Sequence, residues 1–396
     1  MSTVILAYSG GLDTSFCIPW LKERGHDVVT LYVDTGGASE DEKRSLAERA
    51  KRLGAVEHVV EDGAEAVWRD IVVPLVMGGE LYQGQYPLLV SDRYVIVERS
   101  VAHARKRGTN LVAHGCTGMG NDQVRFDLAV RALGDFEILA PVRAIQDEHP
   151  RVREYERQYL AKLGYEPPAK QTRYTINENV LGVTMSGSEI DEWKAPSDET
   201  HQLCAPRAKW PSERLRTKIR FDRGAAVAID GKEKAGTAIL SELNERLGAY
   251  GVGRGVYTGD TTVGLKGRIV FEAPGIAGLM TAHRALEETI LTAQQNATKP
   301  VVARKWVELV YKGFFFEPLK DDLEAYLRSS QRFVTGEVTL ESEGGSVVAV
   351  SVESPHVLRA KDATYAQVAG WTAREAEGFI RLLGQSAELS AKINPR

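Results

Sequence analysis

Residues Ala7-Tyr8-Ser9-Gly10-Gly11-Leu12-Asp13-Thr14-Ser15 bring two glycines, three small hydroxyl side chains and a carboxylate into one short stretch. Without a Cβ, Gly10 and Gly11 let the backbone approach a ligand closely and adopt positive φ, so that successive N–H groups converge on a phosphate. Ser9, Thr14 and Ser15 add hydroxyl donors where a helix would begin, and a helix dipole there favours an anion. The chemistry this pattern serves is capture of a phosphate chain. It is not a Walker A loop, because no lysine lies in the stretch.

A second block, Ala113-His114-Gly115-Cys116-Thr117-Gly118-Met119-Gly120-Asn121-Asp122-Gln123-Val124-Arg125-Phe126, is equipped differently. Gly115, Gly118 and Gly120 permit close backbone approach. Thr117 and Asn121 can donate to a carboxylate, Asp122 can receive an ammonium group, and Arg125 can hold an anion or a polarised carbonyl. Together they are suited to seizing an amino acid. Each residue alone also has a structural explanation, since Asn and Asp cap helices.

The elements that must carry these loops are legible around them. Val4-Ile5-Leu6-Ala7 reads as a buried parallel strand, and Phe16, Trp20 and Leu21 recur at helical spacing after the first loop. Val28 to Val33 reads as a second strand ending in Asp34-Thr35-Gly36-Gly37. Ser39 with Glu42 is a capping box that starts a helix with Leu46, Ala50 and Leu53 on one face. Val56 to Val60, Asn110 to His114 and Phe136 to Ala140 supply further strands, and 64–77 and 93–107 supply helices. This alternation predicts a doubly wound parallel-sheet nucleotide-binding domain over residues 1–165.

Gly164, Pro167 and Pro168 then interrupt the pattern. A second α+β domain is expected over 166–365. Its signals are a hairpin about Asp222-Arg223-Gly224, helices near 275–293, 299–312 and 318–330, and a hairpin about Gly344-Gly345. In the segment 366–396, Thr372 and Glu375 form another capping box, and Ala376, Phe379 and Leu383 line one face of a C-terminal helix.

Composition narrows the class of partner. A formal charge of −4 and a pI near 6.1 give no basic footprint for nucleic acid. Cys17, Cys116 and Cys204 are too scattered for a disulfide framework or a C-x-x-C pair, which fits a reduced cytoplasmic setting. No apolar run approaches the roughly 20 residues of a membrane span. The expectation is a cytoplasmic enzyme of small molecules, with neither nucleic acid nor membrane as partner.

The first loop resembles the S-G-G-x-D-S/T loop of the N-type ATP pyrophosphatases. The second block is similar, almost letter for letter, to the A-H-G-x-T-G-x-G-N-D-Q-V-R-F signature of the argininosuccinate synthase family, whose first loop reads A-Y-S-G-G-L-D-T-S. Gly84 to Leu88, Gly251 to Arg254, Ala282 to Glu287 and Glu308 to Tyr311 extend the resemblance to about positions 3–355. It implies ligation of citrulline to aspartate, with ATP split to AMP and pyrophosphate through a citrullyl-AMP intermediate. It also implies Mg2+ accompanying ATP, no organic cofactor, and a homotetramer. Carried over by motif, Ala7, Tyr8, Ser9, Gly10, Gly11, Leu12, Asp13, Thr14, Ser15, Val33 and Gly115 look like ATP contacts. Thr117, Asn121 and Asp122 look like aspartate contacts, and Tyr86, Ser91, Asn121, Arg125, Thr175 and Thr184 like citrulline contacts. The resemblance names no protein nucleophile or general base. His114, at the end of a buried strand, reads as structural.

This chain departs from the family pattern around the acceptor. Leu89, Val90, Asp92, Arg93 and Tyr94 replace the usual residues around Ser91, Gly259 falls where the family has a glutamate, and Phe271 where it has a tyrosine. Two readings follow. Citrulline is bound with rearranged polar groups such as Asp92, Arg93 or Asp260, which is the favoured reading. The alternative is a ligase for a modified ureido acid such as an N-acylcitrulline.

Overall fold

Val4, Ile5 and Leu6 are fully buried in β1 (Ser2–Ala7), the central strand of the sheet that carries the first loop. The structure is a computed structural model that describes residues 2–165, 173–360, 364–365 and 367–395. β1 leads through the glycine turn into α1 (Leu12–Glu23), then β2 (His26–Asp34), α2 (Glu40–Arg52) and β3 (Glu57–Asp62). The chain continues as α3 (Ala64–Val67), a π turn (Trp68–Val72), α4 (Val73–Gly78), α5 (Arg93–Lys106), β4 (Leu111–Ala113), α6 (Asn121–Leu133) and β5 (Glu137–Leu139). α7 (Pro141–Ile145) and α8 (Val152–Lys162) complete the domain.

The five strands are parallel in the order β3-β2-β1-β4-β5. Alternation along β1 sends Val4 and Leu6 to one face, with Phe16, Leu21, Val142 and Leu160. Ile5 and Ala7 go to the other, with Val97, Val101 and Ala129. Burial on both faces is why these strands are apolar runs rather than alternating ones. Strand order reverses between β1 and β4, and the crevice at such a switch point is where ligands bind in open α/β sheets. Both sequence motifs begin there.

The second part of the chain contributes β6 (Thr175–Asn179), β7 (Gly182–Ser186), β8 (Leu215–Asp222), β9 (Ala225–Ile229), β10 (Lys232–Glu233), α9 (Gly236–Gly248), β11 (Arg254–Asp260) and β12 (Lys266–Glu272). It closes with α10 (Pro274–Ile290), α11 (Ala293–Lys312), α12 (Pro318–Ser330), β13 (Gly336–Glu343) and β14 (Ser346–Glu353). Two antiparallel sheets result, β10-β9-β8-β13-β14 and β11-β12-β7-β6. The expected α+β character is therefore present, beside the expected doubly wound sheet. The two prolines at 167 and 168, which mark the expected boundary, lie outside the described residues.

Some element limits differ from the sequence reading. The helix expected over 64–77 contains the π turn at 68–72. The helix expected from 299 begins at Ala293, because Thr292 and Gln295 form a capping box and Pro300 is accommodated inside. The one expected over 275–293 ends at Ile290.

Residues 1–356 form one compact unit and 357–396 another. Within the first, the Lys299 ammonium donates to the carbonyls of Met77 (2.6 Å) and Gly78 (2.8 Å) and pairs with Glu287 at 2.8 Å. This buried charge ties α4 to α10 and α11. In the second unit, α13 (Ala373–Ile393) starts at the Thr372–Glu375 capping box.

Candidate active site

The phosphate loop is built by its own short side chains. The Ser9 N–H donates to Thr14 Oγ1 at 3.3 Å, and the two hydroxyls lie 3.2 Å apart. Gly10 has φ +72°, and a Cβ there would come within 2.0 Å of Leu46 Cδ2 on α2. Arg49 on the same helix donates to the Gly10 carbonyl. The loop thus takes its shape from a conformation and a close approach that only glycine allows.

The second motif joins it directly. A Cβ on Gly115 would stand 3.1 Å from Thr14 N and 3.2 Å from Asp13 C, so the loop after β4 lies against the backbone of the loop after β1. His114 is 1% exposed; its Nδ1 accepts the Cys116 N–H at 3.1 Å, so its Nε2 bears the proton and donates to Asp127 at 2.9 Å. That fixes its tautomer and engages both ring nitrogens within the fold. Cys116 is pushed well up by burial and by Asp122, and stays a thiol.

From Asn121 onward the block is the first turn of α6. Asn121 Nδ2 donates to Tyr311 Oη at 3.3 Å, and Thr262 N–H donates to Asn121 Oδ1 at 2.9 Å. Arg125 donates to Asp122 Oδ1 at 2.8 Å and to the Tyr311 carbonyl at 3.1 Å. Arg93 donates to Asp122 Oδ2 at 3.2 Å, to both Asp92 oxygens at 2.9 and 3.0 Å, and to Asn177 Oδ1 at 2.9 Å. Burial alone would raise the Asp122 carboxyl; the Arg93 and Arg125 guanidinium groups override it and hold it below the ordinary carboxylate range. Asp122 is therefore an anion at neutral pH.

The sheet β11-β12-β7-β6 closes the site from the side. Phe271 stands opposite Thr184 in register, and Thr184 opposite Asn177. Residues directly opposite share a face, and two residues farther along β6 Thr175 lies on that face also. Asn177 reaches Arg93, and Phe271 meets the Tyr86 ring edge-on at 5.9 Å between centroids. Tyr86 Oη is buried and has no hydrogen-bond partner among the described residues. Thr184 is buried, whereas the Thr175 hydroxyl accepts from Arg153 at 3.1 Å. Ser91 is buried where the chain turns into α5.

The Tyr8 ring is buried and meets His58 edge-on at 5.8 Å. Val33 is buried near the carboxyl end of β2, and Thr117 accepts the Met119 N–H at 3.4 Å within its own loop.

Asp260, proposed from sequence to replace a missing carboxylate, is occupied otherwise. Its oxygens take Lys266 and Gln83 Nε2, the latter at 2.7 Å. The space beside Gly259 is filled by Gln83 and Tyr257: a Cβ there would meet Gln83 Oε1 at 2.3 Å and Tyr257 Oη at 2.4 Å. Sequence reasoning also missed Tyr82, which stacks on Tyr311 at 3.6 Å, and Asn177. Neither carries a local signal, because each acquires its place only through a partner far away in the chain.

Comparison with known proteins decides the family. A profile described as the arginosuccinate synthase N-terminal HUP domain matches residues 3–164, and one described as the arginosuccinate synthase C-terminal domain matches 174–390. The chain belongs to the argininosuccinate synthase family. It is 60% identical to the argininosuccinate synthase of Xanthomonas campestris pv. campestris, over 99% of this chain and 98% of that one. It is 58% identical to that of Xylella fastidiosa over 99% and 98%, and 37% identical to that of Bacillus subtilis over 99% and 96%. Membership makes it an ATP-dependent ligase, as the two motifs implied. Relatives of this name and coverage do not favour the N-acylcitrulline alternative.

Proposed function

We propose that the protein joins citrulline to aspartate in two steps, with MgATP as the activating substrate. The ureido oxygen of citrulline attacks the α-phosphorus and magnesium pyrophosphate leaves; the aspartate amine then attacks the ureido carbon, and AMP leaves as the amine gives up its proton. A urea carbon is a poor electrophile with a poor leaving group, and adenylation turns its oxygen into part of AMP. No protein nucleophile is required. Catalysis rests on holding three ligands in one arrangement and on stabilising phosphate charge.

The observation that carries this reading is the seating of Gly115 on the Asp13–Thr14 backbone, which sets the amino-acid block against the phosphate loop. In this reading residues 7–15 with Gly115 and the Val33 backbone bind ATP. Thr117, Asn121 and Asp122 take aspartate, and Tyr86, Ser91, Asn121, Arg125, Thr175 and Thr184 take citrulline. Citrulline bearing 18O in its ureido group tests the first step. The label is expected in AMP; unlabelled AMP would overturn adenylation at that oxygen, and N-acetylcitrulline in parallel is expected to release little AMP.

The same reading makes 1–165 the ATP pyrophosphatase nucleotide-binding domain, 166–365 a synthetase and multimerisation domain and 366–396 an oligomerisation helix, in a cytoplasmic homotetramer. What supports assembly is α13, whose Phe379, Ile380, Leu382 and Leu383 are all exposed. An apolar stripe of this kind calls for a partner. Deleting 371–396 is expected to lower the mass in solution; an unchanged tetramer would remove the helix from that role.

A further inference from the structure

Behind the phosphate loop lies a carboxyl group that the ligation does not use. Glu156 sits in the middle of α8, whose Tyr155 and Tyr159 rings pack edge-on to Phe16 of α1 at 6.1 and 5.0 Å. Its side chain is 0% exposed, and neither Oε atom has a hydrogen-bond partner among the described residues when both are taken as acceptors. What it faces is the carboxyl group of Asp13, within hydrogen-bonding reach. Two carboxyl groups therefore meet beneath a loop built to hold phosphates.

Both cannot be ionised cheaply. A dry site penalises the charged form of each, and each anion disfavours the other. Arg153 and Arg157 of α8 face the pair and offset part of this, but both are exposed. Cys17, on α1, is buried and pushed well up, by burial first and then by Glu156 and Asp13. Cys116, from the loop after β4, is raised too. Both thiols stay neutral, so the pair itself sets the charge of the loop floor.

We propose that Glu156 is a positioning residue for the phosphate loop, carrying a proton at neutral pH that it donates to the Asp13 carboxylate. The shared proton gives one of the two buried Oε atoms its missing partner and fixes the first turn of α1. It also leaves one negative charge, rather than two, beneath the pyrophosphate. Burial, and then Asp13, push the Glu156 carboxyl up to about 9, in keeping with a proton kept through the neutral range. Loss of that proton in alkali adds a second charge to the floor and repels the bound phosphates.

The inference rests on the ATP-binding reading above, and its test separates the two. Calorimetric titration of the full chain with magnesium pyrophosphate, from pH 7.5 to 10 in wild type and Glu156→Gln, is the first arm. Wild type is expected to lose about tenfold more affinity across that range than the variant, the effect of one added charge nearby. Lysines, tyrosines and the ligand titrate equally in both and cancel. Equal losses would overturn the proposal, and so would a folded Glu156→Gln protein that fails to bind at pH 7.5, since that would show the ionised carboxylate to be what the loop needs. Infrared detection of a protonated, buried carboxylic acid in the wild-type chain needs no variant. Its band is expected at pH 7.5 and gone by pH 10, and its absence at pH 7.5 would overturn the proposal even if the chain bound no pyrophosphate at all. That last result would remove the ligase reading instead.

Discussion

Gly115 and Thr14, 101 positions apart in the chain, touch through their backbones: a Cβ on Gly115 would stand 3.1 Å from Thr14 N. The two motifs are thus one site because a side chain is missing between them. Gly115→Ala is expected to part the loops, raising KM for ATP by about tenfold and lowering stability by about 1–3 kcal/mol through overpacking. Steady-state kinetics and denaturant unfolding check this. An unchanged KM would mean that the loops have slack to spare.

Arg93 holds three segments at once through Asp92, Asp122 and Asn177. Asp92 is 2% exposed, so removing its partner strands a buried charge. Arg93→Met is expected to cost about 3–5 kcal/mol of stability, read from the unfolding midpoint. Arg93→Lys keeps the charge but not the fork of donors. It should raise KM for citrulline and aspartate more than KM for ATP, and an equal rise in all three would argue that Arg93 acts through the fold alone.

At the acceptor, Thr184→Val removes a hydroxyl while nearly keeping the shape. The expected result is a rise of about 3- to 10-fold in KM for citrulline, the worth of one neutral hydrogen bond, with KM for ATP unmoved. No change in the citrulline value would take Thr184 out of the pocket.

Asp122 and Glu156 bend the stability curve in opposite directions. The folded-state value of Asp122 is depressed, so its contribution is present above the unfolded value, near 3.9, and is lost as pH falls through the folded one. Glu156 is raised to about 9; the unfolded chain gives up this proton first, so its contribution falls as pH rises from the unfolded glutamate value toward 9. Unfolding free energies measured from pH 3 to 9 should therefore show a shallower acid slope in Asp122→Asn. In Glu156→Gln they should show a smaller decline between pH 5 and 9. A Glu156→Gln curve parallel to wild type across that window would contradict the raised value.

The chain's two loops and their supporting strands were legible because their signals are local. A buried run, Gly10-Gly11 and a hydroxyl-rich helix start lie within 12 residues of one another, Val4 to Ser15, and strand propensity, glycine freedom and helix polarity act over that distance. His114 could be read as structural for the same reason.

The side proposed for the acceptors was only partly legible. Tyr86, Arg125 and Thr184 could be selected by motif, but Asn177, Tyr82 and Gln83 could not. Arg93 meets Asn177 across 84 positions, and Gln83 meets Asp260 across 177. Asp260, one place from a missing carboxylate in sequence, is claimed in space by Lys266 and Gln83.

Sequence by itself determined the glycine turn after β1, the parallel sheet and the glycine-rich block that opens α6, since each is a run of neighbours obeying local sterics and periodicity. Only the tertiary structure decided that Gly115 seats on Thr14, that two arginines keep Asp122 charged, and that Glu156 is buried against Asp13. Those relationships depend on which surfaces the packed elements bring together, and burial with its neighbouring charges, rather than residue type, then sets the ionisation of each group.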